Sequence, residues 1–432
     1  MAPLLQNMVP ISCDQTAKEE SSMNARRTFF ASLLLSLILV LALSAQAASL
    51  TRSSGVEALN SLKQYYAVPN FKIGGTYEPG KESAYEFGGS GGVTLESLGG
   101  APLQTAYIAV GTPKKDAQGK IINAVIISSY YSGDATSMYD FWYEGQKGNG
   151  FAKGAVVGPG KLIDTNKYYV VFLDALGLWG TSKPSDGLGM KFPKYNYQDY
   201  VQANYRLLKD HLKVGNIKLA TGVSMGAIQS YVWAVLHPDY VEAILPIGGI
   251  VYSDPVSQWM FTLMSSGMQS DPAWRDTKGN YYHLPKEKHP NQGMMFGWSI
   301  LKQTGLTFDL RIQQGMAAVN KEIFVWEPKG DRGANLISQG KDYDVNDLLY
   351  RNQAGDDFDI RNQLPGVKAK TLIIHVKNDQ WLRYVLAEEA ARKIPGAKLE
   401  GFENPLAHYA VFQAPNVLQE QIKGFFKEIG MQ

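Results

Sequence analysis

The chain reads as an α/β fold, with a mostly parallel central sheet flanked by helices and a helical lid inserted late in the strand order. Three observations predict it. Short apolar runs of strand length alternate with segments whose apolar residues recur at helical spacing. One such run ends in Gly222-Val223-Ser224-Met225-Gly226 and passes directly into a helical pattern. The alternation then lapses over residues 250–365 and resumes at Thr371.

Taken in order, strands are expected near Asn123–Ser128, Lys167–Leu173, Ile217–Thr221, Ala243–Ile247, Thr371–Val376 and Lys398–Phe402. Between them, Val201, Tyr205, Leu208 and Leu212 fall on one helix face at core spacing. Val385, Ala390 and Ile394 do the same, less cleanly, after Asp379. Residues 250–365 are rich in Met, Trp, Gln and Gly and are broken at Pro285, Pro290 and Pro328, which suits a lid. Met260, Met264, Met268, Met294, Met295 and Met316 concentrate there. Core filling is the default for each, and a Met- and Trp-rich lid also suits an adaptable apolar binding surface. The expected division is a presequence over 1–47, a core over 48–249, the lid over 250–365 and the rest of the core over 366–432.

The run from Ile217 through Ser224 to Leu236 has the order strand, G-x-S-x-G turn, helix. That is the nucleophile elbow of an α/β-hydrolase, in which a strained turn exposes the serine hydroxyl. A serine in front of an apolar helix is also a common N-cap; the preceding strand favours the elbow. Gly88-Gly89-Ser90-Gly91-Gly92 matches the same pattern but lacks both flanking elements, and reads as a flexible turn.

A serine nucleophile needs a base, and there are 6 histidines. His211 sits on the polar part of a helix, His237 at a helix end, His283 and His289 in a Lys- and Pro-rich loop, and His375 inside an apolar strand. His408 lies on a late loop, where the order Ser…Asp/Glu…His places the base. The acid should follow a strand between the two. Asp379, in the turn after Thr371–Val376, fits; Asp356, Asp357 and Asp359 precede that strand, and Glu403 shares the loop of His408. The backbone N–H groups of Met225 and Tyr131 are the expected oxyanion donors.

Several segments together resemble the homoserine O-acetyltransferases: Leu103 to Pro113, Asn123 to Asp134, Gly158 to Val171, Asp199 to Leu212, the elbow, Ser253-Asp254-Pro255 with Trp274, and Thr371 to Trp381. The resemblance spans most of residues 70–432. It implies an α/β-hydrolase core with an inserted helical lid, supports Ser224, Asp379 and His408 as a triad, and makes a lid-mediated homodimer plausible. The departures also inform. The family's aspartate for the substrate amino group is Tyr409 here, its lid arginine for the carboxylate aligns with Trp298, and its oxyanion-loop histidine is Ser129, followed by Tyr130 and Tyr131. A desolvated zwitterion needs both a cation and an anion partner. Two aromatics supply neither, so Trp298, Tyr409 and Tyr130 are expected to line a pocket for an aromatic or apolar group.

From Met23, a positive stretch (Asn24 to Arg27), an apolar run (Phe29 to Leu43) and Ala45-Gln46-Ala47 read as a secretory signal peptide, with a weak twin-arginine hint. Cleavage would remove Cys13, the only cysteine. The expected mature protein is then periplasmic or secreted, with no stable membrane span, disulfide, cysteine metal site or cofactor. Net charge is +2 with no basic stripe, so nucleic-acid binding has no electrostatic support. These features predict an exported serine hydrolase that cleaves a small-molecule carboxylic ester (or, less readily, an amide or lactone). The alternatives are an O-acyltransferase with an acceptor other than homoserine, and a non-catalytic binding protein on the same scaffold.

Overall fold

Twelve strands organise the described part of the chain. Of these, eight form one sheet and four make two small ribbons. The computed structural model describes residues 53–77, 91–145, 153–322, 343–356 and 358–431. The presequence with Cys13, and with it Ser90, Pro328, Asp357 and the side chain of Met316, lie outside the described residues.

The sheet strands are β1 (Gln64–Val68), β4 (Leu103–Val110), β5 (Ala124–Ser128), β8 (Tyr169–Leu173), β9 (Ile217–Val223), β10 (Ala243–Ile247), β11 (Lys370–Val376) and β12 (Lys398–Phe402). The ribbons pair β2 (Lys72–Ile73) with β3 (Val93–Thr94), and β6 (Val157–Gly158) with β7 (Ile163–Asp164). The sheet order is β1-β4-β8-β5-β9-β10-β11-β12. β1 and β4 are antiparallel to their neighbours, and every pairing from β8 to β12 is parallel. Every residue of β5 and β10 is buried. Such unbroken burial is what a parallel strand covered on both faces requires.

Helices supply that cover. In chain order they are α1 (Ala135–Tyr139), α2 (Tyr197–Arg206), α3 (Met225–Leu236), α4 (Pro255–Gln269), α5 (Pro272–Thr277), α6 (Asn291–Gly305), α7 (Phe308–Glu322, broken at Gly315), α8 (Val345–Asp356), α9 (Tyr384–Lys393), α10 (Ala414–Val417) and α11 (Gln419–Glu428). One face of the sheet carries Val201 and Tyr205 of α2, Val232 of α3 and Ala387 of α9 in a single apolar cluster. The other carries Met138 of α1 and Ile422 and Phe425 of α11. α2 starts at a reciprocal cap: Asn196 accepts from the Gln198 and Asp199 N–H groups, while Asp199 accepts from the Asn196 N–H.

The structure corrects some of the helix reading. Val385 is 45% exposed, because α9 begins at Tyr384 and turns Leu386, Ala387 and Ala390 inward instead. Leu212 is only partly buried, since the helix widens over Leu207–His211 before it ends. Asp356 closes α8 rather than lying in a loop. The antiparallel strands β1 and β4 were not anticipated as elements.

Between β10 and β11 the chain runs through α4 to α8. Met260, Met264 and Met268 of α4 are buried, as are Met294, Met295, Trp298 and Leu301 of α6. The three α4 methionines are core filling and do not line the cavity described below.

Candidate active site

Ser224 stands between β9 and α3 with φ 54 and ψ −121, a conformation an L-residue rarely adopts. The flanking glycines show why the turn can close. A Cβ on Gly222 would come within 2.8 Å of the Ser128 carbonyl oxygen, and one on Gly226 within 2.3 Å of the same atom. Only glycine lets the elbow pack against the end of β5. Ser224 makes no capping hydrogen bond to the helix it precedes. Its Oγ lies 2.8 Å from Nε2 of His408 instead.

His408 sits in the tight turn Ala407–Phe412 after β12. Its Nδ1 is 2.6 Å from Oδ2 of Asp379. The other oxygen of Asp379 accepts from the backbone N–H groups of Trp381 (2.8 Å) and Leu382 (3.0 Å), which fix the carboxylate. Trp381 also packs on the imidazole, ring centroids 4.7 Å apart. Ser224, His408 and Asp379 are all buried, at the carboxyl ends of β9, β12 and β11. With Nδ1–H donated to the carboxylate, Nε2 is free to take the serine proton. A chain of this kind can activate a hydroxyl as a nucleophile.

The remaining histidines have structural surroundings. His375 is fully buried with Nδ1 3.1 Å from the Val376 carbonyl oxygen, and burial holds its pKa below the usual value. His237 stacks on Tyr205 at 4.0 Å, and burial pushes its pKa down to about 3. His211 stacks on Tyr66, and His283 and His289 lie against backbone carbonyls. Asp359 is paired with Arg361, and Glu403 is exposed.

A cavity of about 340 Å³ opens beside Ser224 and His408. Tyr130, Tyr131, Trp298 and Tyr409 all line it, so the structure brings the sequence-selected pocket residues together. Phe141, Phe412, Trp381 and Tyr343 complete an aromatic wall that sequence reading missed. Phe141 stacks on Phe412 at 4.2 Å, with Tyr130 edge-on to Phe412. Trp381, two residues after Asp379, and Phe412, four after His408, were the local signals available. The lining is not wholly apolar. Lys302, one turn after Trp298 on α6, lies 5.7 Å from the Tyr409 ring. Asp140 also faces the cavity, its pKa raised by burial and by Glu144.

Met225 is the first residue of α3, where a backbone N–H has no intrahelical acceptor. Neither this N–H nor that of Tyr131 has an acceptor among the described residues. The Tyr131 loop is held by a buried network with no local sequence signature. Lys63 pairs with Asp134 and, at 2.9 Å, with Asp174. Burial works against the Lys63 charge, but Asp174 and Asp134 outweigh it and hold its pKa above the usual lysine value. One lysine does not fully compensate two buried carboxylates, and burial leaves Asp174 at about 6. Asp134 also caps α1 through the Ser137 N–H.

No protein-family profile matches the chain. A homoserine O-acetyltransferase from Methanosalsum zhilinae is 30% identical over 298 residues, covering 64% of this chain and 58% of that protein. The chain is similar in sequence to the homoserine O-acetyltransferases. The match spans a little over half the length of that relative. Among solved structures, an acetylester hydrolase from Corynebacterium glutamicum superposes with a TM-score of 0.65 at 20% identity, covering 88% of this chain and 98% of that one. The homoserine O-acetyltransferase from Bacillus anthracis gives 0.65 at 18% identity, covering 84% and 96%. At these identities the structural likeness establishes the α/β-hydrolase fold. Trp298 and Tyr409, the residues expected to stand in place of charged substrate partners, both face the cavity.

Proposed function

We propose that this protein is an acyl-transfer enzyme that forms an acyl-enzyme on Ser224 and passes the acyl group to a hydroxyl-bearing acceptor other than homoserine. The observation that carries the reading is the hydrogen-bonded chain Ser224–His408–Asp379 opening into an aromatic-lined cavity. His408 takes the serine proton as general base and returns it as general acid, and Asp379 holds the tautomer and stabilises the imidazolium. The N–H groups of Met225 and Tyr131 receive the developing oxyanion. The names of the sequence relatives favour transfer to a hydroxyl over hydrolysis.

Ester hydrolysis through the same intermediate is the second reading. It is favoured by the signal-like segment up to Ala47, since export to the periplasm or medium would separate the enzyme from acetyl-CoA and leave water as acceptor. On either reading the aromatic cavity is the site proposed for the substrate group. A zwitterionic acceptor would need charged partners once desolvated, and the resemblance puts them at the positions of Trp298 and Tyr409, which are aromatic.

The test is product analysis with acetyl-CoA or p-nitrophenyl acetate as donor and homoserine, an aromatic alcohol or water as acceptor. Acetylation of the aromatic alcohol without acetylation of homoserine is the expected result. Release of acetate alone would establish the hydrolase. Acetylhomoserine as the main product would refute the acceptor assignment and point to Lys302 and Asp140 as the charged partners.

A further inference from the structure

We propose that Arg351 is a positioning residue through which α8 of the helical insertion sets the oxyanion loop of the core; this rests on the acyl-enzyme reading of Ser224. Arg351 is 1% exposed. Of the two terminal guanidinium nitrogens, Nη1 donates to the Tyr131 carbonyl oxygen, and Nη2 donates to the carbonyl oxygens of Ala175 (2.7 Å) and Leu176 (3.3 Å). Those carbonyls belong to the loops after β5 and β8, which are adjacent strands. The next residue of α8, Asn352, accepts from the Tyr131 hydroxyl at 2.6 Å and donates to Ser265 Oγ of α4 at 3.0 Å. One helix therefore holds Tyr131 by its main chain and by its phenol.

The geometry fixes the peptide group that matters. The carbonyl of Tyr130 accepts from the Gly133 N–H at 3.2 Å. In a trans peptide the Tyr131 N–H points opposite to that carbonyl. The carbonyl on the far side of Tyr131 is the one Arg351 holds. Both peptide planes flanking the Tyr131 Cα are thus tethered, and its N–H keeps a set direction. A planar, forked guanidinium can bridge three carbonyls in this way, whereas an ammonium acts as a single point. No carboxylate pairs with Arg351 among the described residues. A buried cation held by carbonyl dipoles and the face of Tyr200, 6.0 Å away, with no carboxylate partner is a costly way to fill a core site. A positioning task accounts for its presence where a leucine would pack more cheaply.

The experiment compares steady-state hydrolysis of p-nitrophenyl acetate by the full chain and by Arg351→Lys, Arg351→Ala, Tyr131→Phe and Ser224→Ala, with circular dichroism and melting of each. Loss of an aligned oxyanion donor lowers kcat by about 10²-fold, and KM is expected to stay within about two-fold in Arg351→Ala. Added guanidinium ion is expected to restore part of that kcat, and Arg351→Lys to recover little. Tyr131→Phe, which removes only the Asn352 anchor, is expected to lower kcat with KM unchanged. A folded Arg351→Ala with normal kcat, or one whose loss lies in KM, overturns the proposal. Should the Arg351 variants not fold, an unchanged kcat in Tyr131→Phe overturns it. Full activity in Ser224→Ala would instead defeat the acyl-enzyme reading itself, which is a distinct outcome.

Discussion

Asp379 divides its two oxygens between different tasks. One accepts two backbone N–H groups of its own turn, and the other meets His408. The carboxylate is therefore fixed before it orients the imidazole. Asp379→Asn keeps the size and the turn but offers His408 a neutral amide in place of a carboxylate, which favours the wrong tautomer. A loss of kcat of about 10⁴-fold with little change in melting temperature is expected. Steady-state kinetics beside a thermal melt would check it, and a loss below ten-fold would argue that Asp379 does not orient the base. The residue scale is also where sequence reading went furthest. Ser224 was legible because an elbow is a local backbone device, written in consecutive residues. His408 was legible by elimination from a short list and by chain order. Arg351 was not, because its partner Tyr131 is 220 positions away and nothing in α8 marks an arginine as buried.

At the scale of elements, α3 is buried along its whole length and ends at His237, which stacks on Tyr205 at the end of α2. Burial, with Lys209 adding to it, holds the folded pKa of His237 near 3, below the usual 6.5. The unfolded chain therefore binds the proton first as pH falls. The stabilising contribution is complete above about pH 6.5 and is lost progressively between there and about 3. Within that window each pH unit costs up to about 1.4 kcal/mol. Melting temperature followed from pH 7 to 4 should fall less steeply in His237→Gln than in the parent; identical slopes would show that His237 is not a source of acid lability. Element reading succeeded where both faces of a strand are covered, as in β9 and β10. It failed at the amino-terminal side of the sheet: β1 is mostly exposed or half-buried and leaves no continuous apolar run, and β4, though largely buried, was missed with it.

At the scale of the whole molecule, the described residues combine an α/β core with helices between β10 and β11 that contribute Trp298, Leu301 and Lys302 to the cavity and reach the Tyr131 loop through Arg351. Among the described residues, no helix is long and apolar enough to cross a membrane. The insertion leaves apolar side chains uncovered. Val256, Trp259 and Leu263 recur along one face of α4, and Phe308 and Ile312 along α7, with Trp259 66% and Ile312 77% exposed. We propose that these faces pair two copies of the chain. Sedimentation velocity is expected to show a dimer that Trp259→Glu with Ile312→Glu converts to a monomer; a parent protein monomeric at micromolar concentration would contradict this. The central claim concerns Ser224, and covalent trapping tests it most directly. The account predicts that a fluorophosphonate adds one adduct per chain, located by peptide mass spectrometry on Ser224, and that Ser224→Ala abolishes both labelling and turnover. An adduct on another residue, or a folded Ser224→Ala that still turns over p-nitrophenyl acetate at the parent rate, would contradict it.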